Sequence, residues 1–285
     1  SAVWVLILTI GITSAAFAQI GGYAVKFDGV DGKASVPLNT GNTNSTATLE
    51  FWFSRASAQA GTQYIADLHS VSGTDRRRVM PYVNAGEIGI YCAPNTGDDN
   101  NAVTQLTGVT ASLNVWYHVA VTINGTTLKM YVNGKQYVNA NLVDTYSLTG
   151  TEFLTLATDY LNSTYLNAKL DEVRVWSIER TEAQIKGDMF RELVGNEAGL
   201  LAYYKMSDGA GAALSDDQTA GTYDGTLAGG YTWTASGAFA DSRNALDFDG
   251  ADDYVDLGND ASVRFNGVQN LTVEAWIKPT GAQWG

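Results

Sequence analysis

Three carboxylates stand where a hard cation could be held. Asp28 and Asp31 bracket Gly29-Val30 at the end of a strand-like run, and Asp171 lies in a second such run. Calcium takes six to eight oxygens from carboxylates, amide side chains and backbone carbonyls. Gly29 lets the chain turn its carbonyls toward an ion. In a closed sandwich the first and last strands are neighbours, so Asp171 is expected to approach the Asp28–Asp31 turn and complete a calcium (Ca2+) site. The same two aspartates also suit a simpler task, bonding the amides of their own turn.

Cleaving a glycosidic bond with retention needs two carboxylates about 5 Å apart. On a strand these must share one side, where alternate residues lie. Strict alternation sends Asp171 with Lys169 and Val173 to one face, and Glu172 with Leu170 and Arg174 to the other. Glu50 and Glu274 each stand alone, with Trp52 and Trp276 two places on. No strand carries the pair, so no enzyme activity is expected. His69 lies in Asp67-Leu68-His69-Ser70, read as a polar loop, and His118 is read as a partly exposed strand residue opposite an apolar face. Neither has a nucleophile motif beside it. Gly209-Ala210-Gly211 lacks the lysine and third glycine of a phosphate loop. Cys92 is the only cysteine, which excludes an intrachain disulfide and a cysteine zinc site.

Sugar recognition asks for flat aromatic faces beside amides and carboxylates. Tyr64, Tyr82 with Asn84, Tyr91 with Asn95, Tyr160 with Asn162, and Tyr165 supply such pieces, scattered along the chain without order. No individual ligand-binding residue follows from that scatter.

Composition narrows the partners. Thirty acidic and 17 basic residues among 285 give a formal charge of −13. That balance opposes nucleic-acid binding, which rests on Lys and Arg releasing counterions; the single basic run, Arg76-Arg77-Arg78, is too short to reverse it. The chain is 45% hydrophobic and 16% charged, enough for a full core. Thirty glycines against four prolines point to strands and tight turns.

The clearest local pattern is a meander. Tyr117, Val119, Val121 and Ile123 share a face, and Leu128, Met130 and Val132 match them across Asn124-Gly125. A second Asn-Gly, 133–134, follows, and each pair suits a tight hairpin. Further strands are expected over 24–27, 49–53, 89–92, 153–157 and 170–176. One helix is expected over Thr181–Leu193, opened by the capping box Thr181-Glu182-Ala183-Gln184, with Ile185, Met189 and Leu193 on one stripe. Many short strands and one brief helix give an all-β sandwich.

The ends and the repeats set the domain plan. The apolar run 3–10 followed by Ala16-Phe17-Ala18 has the form of a signal peptide over residues 1–18. The run is shorter than the roughly 20 residues a membrane-spanning helix needs, and no longer one follows in the mature chain. Ala24–Asp31 aligns with Ala245–Asp252, and Thr48–Phe53 with Thr272–Ile277, at separations of 221 and 224 residues. These read as one domain over 19–198 and an incomplete second copy over 199–285, with 199–230 assigned to the second.

Five pieces in order carry a resemblance: Phe27-Asp28-Gly29-x-Asp31, Glu50-x-Trp52, Trp116–Val121, Tyr131–Lys135 and Leu170–Trp176. Together with the second copy they make the chain similar to the laminin-G-like, concanavalin A-like jelly rolls. That resemblance implies two curved antiparallel sheets packed face to face. It also implies a secreted or cell-surface module that binds a glycan or an extracellular protein partner, often beside calcium, in adhesion. The alternative it allows is an accessory domain of a secreted hydrolase.

Overall fold

The computed structural model describes residues 22–38, 45–72, 75–94, 102–146, 151–218 and 223–238. The chain divides into two compact units, Ser1–Arg243 and Asn244–Gly285. The expected signal peptide and the repeat beginning at Ala245 lie outside the described residues.

The elements run β1 (Tyr23–Asp28), β2 (Lys33–Pro37), β3 (Thr46–Arg55), β4 (Thr62–Tyr64), β5 (Ala66–Ser72), β6 (Asp75–Asn84), β7 (Glu87–Ala93), β8 (Val103–Thr110) and β9 (Trp116–Asn124). They continue with β10 (Thr127–Val132), β11 (Lys135–Asn141), β12 (Thr151–Leu156), β13 (Asn167–Trp176), α1 (Glu182–Asp188), β14 (Leu200–Tyr204), β15 (Ala213–Leu214), β16 (Gly225–Ala228) and β17 (Tyr231–Ala235). The first sheet is ordered β11-β10-β9-β3-β13-β1-β17, with β14 also on β13. The second is ordered β15-β16-β2-β12-β5-β6-β7-β8, with β4 on β6. The expected all-β, two-sheet jelly-roll sandwich is what forms.

Alternation builds the core between the sheets. Val25, Phe27, Leu49, Phe51, Phe53, Val119 and Val121 from the first sheet meet Leu68, Val79, Ile88, Ile90 and Leu154 from the second. The meander falls in place as β9, β10 and β11. Its second turn is the expected Asn133-Gly134, with φ of 49° and 75°. Its first is shifted by one residue: Asn124 pairs with Thr127, so Gly125 at φ 59° leads a Gly125-Thr126 turn and Asn124 stays in the strand.

The helix is shorter than its apolar stripe. Thr181 caps it with the expected capping box, but it ends at Asp188. The sheet takes its last carbonyls: Trp52 Nε1 donates to Met189 O at 2.8 Å and Arg174 Nη1 to Asp188 O at 3.0 Å. Carbonyls satisfied by side chains need no further helical turn. Met189 still packs on Trp52 and Trp116, and Leu193 on Trp176 and Tyr203.

Two expectations are corrected here. Residues 200–235 belong to the first sandwich: β17 pairs with β1, β16 with β2 and β14 with β13. Without them β1 and β2 would carry unpaired edges, so the first domain cannot close at residue 198. The second correction concerns β13. A bulge between Asp171 and Arg174, with Glu172 at φ 52°, sets two residues against one on β3. Leu170 and Val173 both enter the core, and Asp171 and Glu172 therefore share the outer face. Strict alternation fails at the one step where it decided the question.

Candidate functional site

The two outer faces are finished differently. On the first sheet the α1 segment seals a layer of charge. Glu50 Oε1 accepts from Arg180 Nη1 at 2.8 Å, and its Oε2 lies 3.5 Å from His118 Nε2. Arg174 donates to Glu172 Oε2 at 2.8 Å, and Tyr203 donates to the same oxygen at 2.6 Å. Arg180 also bonds Asp188 of the helix and stacks 4.2 Å from the Trp176 ring centre. Glu50, His118, Glu172 and Arg174 are each at most 3% exposed.

This layer corrects the reading of His118 as partly exposed. Burial pushes the His118 ring down, against the pull of Glu50, and holds it neutral. Burial pushes the Glu50 carboxyl up, but the His118 ring, Arg180 and Arg174 outweigh it, so it stays ionised. Burial and then Glu172 push Asp171 well above the usual carboxylate range. The carboxylates on this face are gathered, but under a lid of helix and closed in by partners.

The second sheet carries the other kind of surface. Phe153, His69 and Arg78 stand side by side on β12, β5 and β6, since Phe153 pairs with His69 and His69 with Arg78. His69 is thus a strand residue, where a loop was expected. Its ring lies 5.4 Å from Phe153 at an interplanar angle of 24°, and 5.5 Å from Tyr160. The Arg78 guanidinium sits 5.3 Å from the Tyr91 ring centre and 5.4 Å from that of Tyr160. Tyr64 and Tyr82 make an edge contact at 6.3 Å further along β4 and β6. Tyr82 lies against Gly89, where a Cβ would come within 2.6 Å of its ring.

Four of the scattered tyrosines therefore fall into two groups on this sheet, Tyr91 and Tyr160 about Arg78, and Tyr64 against the buried Tyr82. The signal was hidden because alternate residues of β6 and β7 supply Arg78, Tyr82 and Tyr91, while Tyr160 arrives from a distant loop. Asp67, fully buried, fixes that loop: its Oδ2 accepts from Tyr160 N at 2.9 Å. Its Oδ1 lies 3.4 Å from His69 Nδ1. Tyr64, Tyr91, Phe153, Arg78 and Tyr160 remain part-exposed, and Arg78 Nη2 donates to Tyr91 Oη at 3.5 Å.

The expected calcium carboxylates do not converge. Asp28 Oδ1 accepts the amides of Val30, Asp31 and Gly32 at 2.8, 3.3 and 3.2 Å. Those bonds outweigh what burial adds and hold its carboxyl below the usual range. Asp31 Oδ1 accepts Gly230 N at 2.7 Å. Asp28 pairs with Asn167, and Asp171 lies four residues further along β13, roughly 13 Å away at strand rise. Asp171 instead accepts from Ser236 and from Glu172 N. Asp28, Asp31 and Asp171 thus do not fit one calcium ion, and no group of three or more metal-binding side chains exists among the described residues.

The family model of the concanavalin A-like lectin/glucanases superfamily matches residues 28–186. The chain belongs to that superfamily. A proposed carbohydrate-binding protein from Bacteroides ovatus has the same fold, with TM-score 0.57 and 21% identity over 75% of this chain and 60% of that one. This superfamily member therefore spans less than two thirds of the length of the Bacteroides protein. The heptameric SAP-like pentraxin from Limulus polyphemus gives TM-score 0.55 and 11% identity over 78% of this chain and 99% of its own. No curated protein sequence matches the chain.

Proposed function

We propose that this chain is a non-catalytic carbohydrate-binding module of an exported protein and holds its glycan on the outer face of the second sheet. The observation that carries the reading is Arg78 held between the rings of Tyr91 and Tyr160, with His69 and Phe153 continuing the row. Aromatic faces take the apolar side of a sugar ring, and a guanidinium with five fixed donors takes its oxygens. The first sheet's outer face is occupied by α1 and its ion pairs, which leaves the second as the presenting surface. The carbohydrate-binding description of the Bacteroides relative supports the ligand class. The apolar run at 3–10 and the laminin-G-like character support export and an adhesive role. The acids support binding without cleavage: Asp171 and Glu172 share a face but are buried and bonded.

A glycan array probed with the full chain tests this. Retention of at least one glycan class is expected, lost in R78A; an array silent for the parent chain, or equally bright for R78A, refutes it.

A further inference from the structure

We infer that the β16–β17 hairpin is a clasp shaped for the first repeat and mismatched to the second. The hairpin turn, Gly229-Gly230, interlocks with the turn that ends β1. Asp28 N donates to Gly230 O at 3.0 Å, and Gly230 N donates to Asp31 Oδ1 at 2.7 Å. The two turns are in backbone contact. A Cβ on Gly32 would lie 2.2 Å from Gly230 O, and one on Gly229 2.1 Å from Asp31 O. A Cβ on Gly230 would lie 1.9 Å from Asp28 Oδ2. None of these can be relieved by swinging a flexible side chain away except the last.

The second repeat offers almost the same target. Ala245–Asp252 reproduces Ala24–Asp31, with Leu246, Phe248, Asp249 and Asp252 at the places of Val25, Phe27, Asp28 and Asp31. The residue after them differs: Asp253 replaces Gly32. A Cβ in the place of Gly32 would meet the Gly230 carbonyl at 2.2 Å, so an aspartate at the equivalent place is the poorer target for this hairpin. Because the hairpin lies between the two copies in sequence, it could close either by length alone. The glycine at 32 makes the choice, so that the hairpin closes on the first repeat.

Paired cysteine substitutions in the full chain read out the partner. Lys26 and Thr232 are opposed on β1 and β17, and Asp247 is the repeat of Lys26. Burial pushes the Cys92 thiol up and keeps it out of the exchange. Under mild oxidation K26C/T232C is expected to cross-link within one chain and T232C/D247C to do so at least tenfold less. Adding G32D to K26C/T232C is expected to cut its cross-linking at least tenfold, with far-UV circular dichroism confirming that the sheets persist. G32A, which adds only the Cβ, serves in the same way if G32D does not fold. Cross-linking in T232C/D247C equal to that in K26C/T232C would overturn the inference. So would cross-linking in K26C/T232C that G32D and G32A leave unchanged.

Discussion

Glu50 and His118 meet across β3 and β9, Oε2 to Nε2 at 3.5 Å, beneath a helix whose own aspartate and backbone carbonyls bind the arginines beside them. The pair is structural. It marks the sheet face that the fold has spent on holding α1, and it makes that face sensitive to acid.

The acid response has a definite sign. Burial lowers the His118 pKa in the folded chain below its ordinary 6.5, against the pull of Glu50. A group with a depressed folded pKa contributes stability above its unfolded value and loses it as pH falls. Melting temperatures across pH 5 to 8 should therefore decline below about 6.5 in the parent chain, and H118Q should decline less over that window.

Asp171 should act in the opposite sense. Its carboxyl is raised by burial and by Glu172, so its contribution is present at low pH and lost as pH rises through the folded pKa. D171N cannot ionise. Its melting temperature should exceed the parent's at pH 8 and approach it near pH 4; a D171N chain less stable at pH 8 would contradict this assignment.

Removing one partner from the sealed layer should cost far more than a surface charge would. E50A removes the fully buried carboxylate from Arg180 and leaves it Asp188 at the edge of the layer; breaking a buried pair costs about 3–5 kcal/mol. Urea unfolding measures it. A loss within about 1 kcal/mol, the range of exposed pairs, would mean that this layer is solvated.

The clamp on the helix separates into packing and bonding. Trp52 buries its ring against Phe190 and Met189 and donates to Met189 O. W52A should lose about 3–5 kcal/mol. W52F keeps much of the ring and forfeits the bond, so about 1 kcal/mol is expected, again from urea unfolding.

The sequence showed the sandwich wherever one side of a strand is core. The β9–β10 faces, the capping box at Thr181 and the strand at 170–176 all follow from periodicity and capping, which are local. What escaped it was set by long-range contacts. The β6 strand was obscured by Arg76-Arg77-Arg78 and Pro81, because its place is set by pairing with β5 and β7. The bulge at Glu172 needs a residue at positive φ that no glycine announces. His118 looked half exposed because nothing in its own strand reveals the helix that later covers it.

The site was the least visible part. Tyr64, Tyr82, Tyr91 and Tyr160 were recognised as suitable rings, but only strand pairing and the Asp67 bond to Tyr160 N put them in their two groups. The Asp28, Asp31 and Asp171 set failed for a reason of register: neighbouring strands bring Asp28 to Asn167 and leave Asp171 further along β13.

The proposed glycan surface is the outer face of the second sheet. Isothermal titration of a glycan retained on the array, with the full chain, Y91A and a control Y137A on β11, tests this directly. Y91A should weaken binding at least tenfold, about 1.4 kcal/mol, with melting temperature unchanged, while Y137A binds as the parent does. Y91A binding with parental affinity would contradict it.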